Sequence, residues 1–194
     1  MADRETKNLD KAQKLKSGDL YYGSVNIKSK KPDGFGVLTS QKSGGIHQGY
    51  FLDGKPHGNG ILFHGKGPTS GGWQIGGWEN GKATGNCNLT LANKTEYKGA
   101  LKNSHKEGKG IEIMANGEKY DGSFKKDKRE GWGTFTKKDG STYEGQWKAG
   151  QRNGLGKVTD KKGTVKVTQF LKDGPGKKAS DEDWQAAFDK AHEE

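Results

Sequence analysis

The chain has 194 residues and carries 34 Lys and Arg against 24 Asp and Glu, a net charge of +10. Leu, Ile, Val and Phe together make up about 15% of it, below the roughly 20% at which a highly charged chain is expected to stay disordered. That excludes a large globular enzyme with an aliphatic core, but five Trp, six Tyr and seven Phe are too many for a solvated linker.

In chain order, the first segment is residues 1–20. It lacks the apolar stretch of a secretory signal and reads as a tail, disordered or weakly helical around Leu9–Lys16. No apolar run approaches the length of a membrane span. The lone Cys87 leaves no disulfide framework and no Cys-rich zinc site. The expected location is therefore cytoplasmic.

Residues 21–173 are dominated by a glycine period. Gly-x-Gly pairs stand at Gly34/Gly36, Gly58/Gly60, Gly108/Gly110, Gly131/Gly133 and Gly154/Gly156, with Gly85/Cys87 completing the series. Nine residues before the later pairs come Gly49, Gly76, Gly99, Gly122 and Gly145. Tyr97, Tyr120 and Tyr143 precede three of these by two residues; Phe51, Trp78, Leu101, Phe124 and Trp147 follow them by two. Alternation of Tyr143, Gly145 and Trp147 with polar residues is the period-2 signature of a strand with one aromatic face. A turn at Ala149-Gly150 leads into a second strand, so each unit reads as a β-hairpin. An isolated hairpin is marginal in water; stacked side by side, each ring is expected to lie on glycine backbone of a neighbour, where a Cβ would take its space.

This pattern resembles the MORN (membrane occupation and recognition nexus) repeat, Tyr-x-Gly-x-Trp/Phe-x-x-Gly-x-x-x-Gly-x-Gly, across about residues 21–173. The first unit, from Tyr21, has two extra residues; His47 and Gln74 replace the leading Tyr, Cys87 replaces a Gly, and a loop at His64–Ser70 lengthens one interval. The last unit, Lys166 to Asp173, keeps only Phe170 and reads as half a repeat. The expected fold is mostly β: an elongated single-layer antiparallel sheet of stacked MORN-type hairpins, about six repeats plus the final half. Residues 174–194 add a Gly/Pro linker, Gly174-Pro175-Gly176, that breaks the sheet, and a C-terminal capping helix. Ser180 and Asp183 form its capping box, and Trp184, Ala187, Phe188 and Ala191 its apolar stripe.

The sites fall into two sets. Phe51, Trp78, Tyr97, Leu101, Tyr120, Phe124, Tyr143 and Trp147 share one face and are the candidate groove for a helical or extended segment of a partner protein. Lys125, Lys126, Lys128, Arg129, Lys137, Lys138, Lys161 and Lys162 lie in turns and are candidate contacts for acidic protein tails or anionic lipid. With only three arginines and no recognition helix, specific nucleic-acid binding is not expected. Gly60–Lys66 and Gly76–Lys82 imitate the opening of a phosphate-binding loop, but neither ends in Ser or Thr, and the repeat already explains their glycines. No catalytic set, metal or cofactor is expected. The resemblance implies a non-enzymatic scaffold in a ciliary, axonemal or cortical cytoskeletal assembly, with a peripheral binder of acidic phospholipids as the alternative.

Overall fold

The computed structural model describes residues 5–66 and 71–193, so part of the expected His64–Ser70 loop lies outside the described residues. Its strands are β1 (Thr6–Asn8), β2 (Gln13–Lys14), β3 (Leu20–Asn26), β4 (Pro32–Thr39), β5 (Ile46–Leu52), β6 (Lys55–Phe63), β7 (Trp73–Glu79) and β8 (Lys82–Thr90). They continue as β9 (Glu96–Lys102), β10 (His105–Ile113), β11 (Lys119–Lys125), β12 (Lys128–Thr136), β13 (Thr142–Lys148), β14 (Gln151–Thr159), β15 (Val165–Leu171) and β16 (Gly174–Lys178). One helix, α1 (Asp181–His192), follows. The strands form one antiparallel sheet in chain order, with β2 beside β1 on β3, and the sheet does not close.

Seven hairpins run from β3–β4 to β15–β16, and the first six share one design. Each of their first strands carries Tyr or its substitute, then Gly, then a ring or aliphatic residue, and the register slips after the Gly, as at Gly122/Phe124 and Gly145/Trp147. In β15 Thr168 stands in the Gly position, and the slip falls between Thr168 and Phe170. The slip is a β-bulge, and the first glycine of each Gly-x-Gly pair supplies the positive φ it needs. From the second hairpin on, the turns are two-residue loops with both φ positive, such as Asp53-Gly54, Asn80-Gly81 and Ala149-Gly150, whose twist suits paired strands; the first hairpin turns through the longer segment 27–31. Each turn is also fastened to the preceding hairpin: Gly54 N–H donates to Pro32 O, Gly81 to Pro56 O and Gly150 to Arg129 O at 2.8–2.9 Å.

Two ends differ from the sequence expectation. The segment expected to be a disordered or weakly helical tail instead carries β1 and β2, which pair with β3. Leu9 and Leu15 there pack on a cluster of Tyr21, Val25 and Phe51. At the other end Gly174–Gly176 does not break the sheet; it runs within β16, with Pro175 opposite Phe170. Proline is tolerated because β16 is an edge strand with no further neighbour for its missing N–H to serve. The final unit is thus a shortened but complete hairpin.

The chain divides into two compact units. Unit 1 comprises residues up to 96 with Leu101–Ser104; unit 2 comprises Tyr97–Ala100 and residues from His105. In unit 2, α1 starts at the Ser180/Asp183 capping box and lies on the sheet face opposite the tyrosines. There Trp184, Ala187 and Phe188 pack on Trp132 and Val167, and the Lys157 ammonium sits 3.7 Å over the Trp184 ring.

Candidate functional site

The tyrosine face is built by one contact repeated. The hydroxyls of Tyr21, Tyr97, Tyr120 and Tyr143 donate to the carbonyls of Ser24, Ala100, Ser123 and Gln146, three residues on, at 2.8–3.0 Å. This curls each ring down over the second Gly of its own hairpin: Tyr21 over Gly36, Tyr97 over Gly110, Tyr120 over Gly133 and Tyr143 over Gly156. The covered backbone therefore belongs to the same hairpin, not to a neighbour. The reason is the cross-strand register, which sets Gly122 against Gly133 and Gly145 against Gly156. Burial pushes the Tyr21 hydroxyl up to about 12, with Asp33 adding to the shift, and also raises Tyr120 and Tyr143.

The rings then interlock between hairpins. In unit 2, Phe124 meets Tyr97 and Tyr120, Trp147 meets Tyr120 and Tyr143, and Phe170 meets Tyr143, all edge-to-face with centroids 5.1–5.3 Å apart. Trp147 Nε1 also donates to Gly133 O at 3.0 Å. In unit 1 the series is Tyr21, Phe51, His47 and Trp78. Such pairs add about 0.5–1.5 kcal/mol each beyond area burial. All eight residues expected to form the groove (Phe51, Trp78, Tyr97, Leu101, Tyr120, Phe124, Tyr143, Trp147) are consequently buried, none more than 7% exposed. They are the core of the array, and an incoming partner would meet what covers them.

In unit 2 the cover is cationic. Lys106 lies over Tyr97 and Phe124, Arg129 over Tyr120, Phe135 and Trp147, and Arg152 over Tyr143 and Phe170, at 4.6–5.5 Å from the centroids. Glu112 holds Lys106 and Arg129 in place, and Asp173 holds Arg152 at 3.1 Å. Glu112 occupies the row position where Phe135 and Val158 stand in the next hairpins. Beyond the cations, a cleft of about 300 Å³ opens between Arg129, Arg152, Phe135, Tyr143, Trp147 and Val158. Sequence reasoning placed Arg129 among the turn contacts and did not single out Lys106 or Arg152, although a signal was there. Lys106, Arg129 and Arg152 recur at intervals of 23 residues, and two of the three arginines in the chain hold this position.

The MORN repeat model matches residues 47–67, 75–96, 97–119, 120–142 and 143–165. The chain belongs to the MORN repeat family. The unmatched first hairpin makes the same Tyr21–Ser24 and Tyr21–Gly36 contacts as the later MORN hairpins. No curated protein matches the chain. Among solved structures, it is similar to the SAS-4 (dCPAP) TCP domain of Drosophila melanogaster in complex with a proline-rich motif of Ana2 (dSTIL). That match has 12% identity over 83% of this chain and 90% of that one, with a TM-score of 0.45. The wild-type TCP10 domain of Danio rerio CPAP gives 12% identity over 87% and 88%, TM-score 0.27. The same domain with a peptide of Danio rerio STIL gives 13% over 82% and 83%, TM-score 0.26.

The expected lysine contacts divide by position in the MORN hairpins of unit 2. Lys125 and Lys128 flank the turn inside the β11–β12 hairpin, and Lys126 sits in it. Lys137 and Lys138, and Lys161 and Lys162, occupy the links between hairpins at the opposite ends of the strands. All seven are exposed. Arg129 does not belong with them; it is half-buried over the rings. Gly76–Lys82 runs along β7 into a hairpin turn and opens no helix. Among the described residues no group of three or more His, Cys, Asp or Glu is arranged to hold a metal ion.

Proposed function

We infer that this MORN array is a non-enzymatic scaffold that docks partner proteins, within a ciliary, axonemal or cortical cytoskeletal assembly. The cleft on the tyrosine face of unit 2 carries the reading. Two half-buried arginines and a floor of Phe135, Tyr143, Trp147 and Val158 offer charge and apolar surface together, which suits an extended or helical segment with acidic and apolar residues. The rings and glycines of the repeat are spent on packing, which favours docking over catalysis. The cytoskeletal location is what membership of the family implies.

A second reading, peripheral binding of acidic phospholipids, rests on the exposed lysine pairs that recur in the links between hairpins. Two variant sets separate the readings. Arg129→Gln/Arg152→Gln is expected to weaken capture of protein partners from ciliated-cell lysate, identified by mass spectrometry, with the circular dichroism spectrum unchanged. Replacing Lys137, Lys138, Lys161 and Lys162 by Gln is expected to leave that capture intact. Binding that instead follows the lysines, extends to phosphatidylserine vesicles and disappears with added salt would assign the array to the membrane surface.

A further inference from the structure

The face opposite the tyrosines differs in chemistry between the two units. In unit 2 its rows are mostly polar: Ile111, Asp121, Thr134, Glu144 and Lys157 follow one another across the strands, and the apolar cluster at Trp132 and Val167 is covered by α1. In unit 1 the same face is apolar. Tyr22, Val37, Gln48, Ile61 and Ile75 form one cross-strand row; Leu20, Thr39, Ile46, Phe63 and Trp73 form the next. Phe35 lies opposite Tyr50, ring centroids 5.6 Å apart. Neither row holds a charge. Tyr22, Phe35, Ile46, Tyr50, Phe63 and Ile75 are each between 38% and 54% exposed, as one contiguous patch rather than as scattered single residues.

We propose that this face of unit 1 is a second docking surface, for an amphipathic helix of a partner protein with an apolar stripe at i, i+4 spacing and acidic flanks. The patch spans β3 to β7, roughly 19 Å across the strands and about 14 Å along them, and ends where Ile75 and Trp73 face Asn88 and Thr90 of β8. That footprint matches one helix of about 13 residues, near 10 Å in diameter. Two copies meeting face to face would bury on the order of 270 Å² each, well under the ~800 Å² per partner of a stable interface. Charge disfavours a second copy as well, because residues 1–90 carry twelve basic and seven acidic side chains and like-charged surfaces repel. The chain itself shows what this side of the sheet accepts. Helix α1, with Asp181, Glu182 and Asp183 in its first turn, sets Trp184 and Phe188 at i and i+4 on the corresponding face of unit 2. Unit 1 presents more apolar surface there, and among the described residues nothing covers it.

The whole chain is panned against displayed random peptides of about 16 residues. The expected result is enrichment of helix-forming peptides with Trp, Phe or Leu at i and i+4 and Asp or Glu around them. A synthetic representative should bind in solution by fluorescence anisotropy, and at least about tenfold more weakly to Tyr50→Lys/Phe63→Lys. Tyr22→Lys/Ile75→Lys, two different positions on the same face, should give the same loss. Arg129→Gln/Arg152→Gln should bind the peptide as the unmodified protein does, which keeps this surface distinct from the tyrosine-face cleft. A library that yields no such helix, or peptides that bind the lysine variants equally well, would overturn the proposal. A dimer in sedimentation that those variants abolish would assign the face to a second copy, and co-sedimentation with phosphatidylcholine–phosphatidylserine vesicles that they abolish would assign it to a membrane. Either result also overturns it.

Discussion

The two glycines of each Gly-x-Gly pair serve different ends, and substitution separates them. At Gly133 a Cβ would stand 2.6 Å from Tyr120 Cζ, with the ring fixed by its hydroxyl bond to Ser123. At Gly131 the space is ordinary, but φ is +71°. Gly133→Ala is therefore expected to destabilise by several kcal/mol through overpacking, and Gly131→Ala by about 1–2 kcal/mol through backbone strain; urea unfolding of the two variants measures both, and equal losses would contradict the assignment. The exception at Cys87 follows the same rule. The residue replacing tyrosine in that hairpin is Gln74, so no ring occupies the space and a side chain is allowed. His47 is the other substitute, and neither of its ring nitrogens has a hydrogen-bond partner among the described residues. Burial lowers its pKa to about 4. The neutral ring is the folded form, while the unfolded chain takes up a proton near 6.5. Stability is thus unaffected above that pH and is lost progressively as pH falls from 6.5 toward 4, by up to about 3 kcal/mol. His47→Tyr restores a hydroxyl that can reach the Tyr50 carbonyl, as Tyr21 reaches Ser24. It should raise stability and flatten that acid limb, as read from denaturant midpoints at a series of pH values.

At the scale of elements, the turn chemistry leaves room for improvement. Ala149 holds φ +53° ahead of Gly150, a conformation that alanine adopts at a penalty of about 1–2 kcal/mol, whereas Asn-Gly is the preferred pair for such a turn. Ala149→Asn keeps the backbone N–H that donates to Glu130 and should stabilise the protein by about 1 kcal/mol; an unchanged denaturant midpoint would show that the strain is relieved elsewhere. Helix α1 caps the sheet by covering Trp132 and Val167 on its back, so truncation before Ala179 should uncover the Trp132 indole. The expected signature is a red-shifted tryptophan emission with a lower melting temperature. The hairpins were legible in the sequence because glycine, ring and turn recur at fixed offsets. Depth was not legible for a physical reason: period 2 tells which face a ring is on, and Trp147 and Phe124 are on the expected face, but it does not tell that side chains from the partner strand fold over them. Lys106, Arg129 and Arg152 look like ordinary turn cations until the register sets Arg129 opposite Phe124 and Arg152 opposite Trp147. The short strands β1 and β2 had no signal at all, since they contribute backbone pairing and two leucines to a sheet edge rather than a repeat.

For the whole molecule, the question is how far a local loss of stability travels. A repeat array is held by each hairpin's own stability and by its interfaces with immediate neighbours, so damage is expected to fade with distance along the chain. Acid provides a selective perturbation. Both histidines whose pKa burial lowers, His47 and His64, are in unit 1. The shifted carboxylates of unit 2 respond only at lower pH. Asp139 is held below the usual carboxylate range by hydrogen bonds from Ser141, and Asp160 by the amides of Thr164 and Lys162. At Asp127 burial pushes the pKa up, but bonds from His105 and the Lys106 amide outweigh it and leave the carboxyl lowered. These depressed carboxylates stay ionised, and keep what they contribute, until pH falls below the ordinary carboxylate range near 4. Between about pH 6.5 and 4.5, therefore, the shifted histidines weaken unit 1 while the shifted carboxylates of unit 2 keep their contribution. Hydrogen exchange at pH 7 and at pH 5, corrected for the intrinsic rate, should show protection falling in β5, β6 and β7 around His47 while β11–β14 keep theirs. His47→Tyr should remove most of the difference. A fall of equal size in both units would mean that the array unfolds as one cooperative body, with interfaces strong enough to carry one buried histidine's titration through every hairpin.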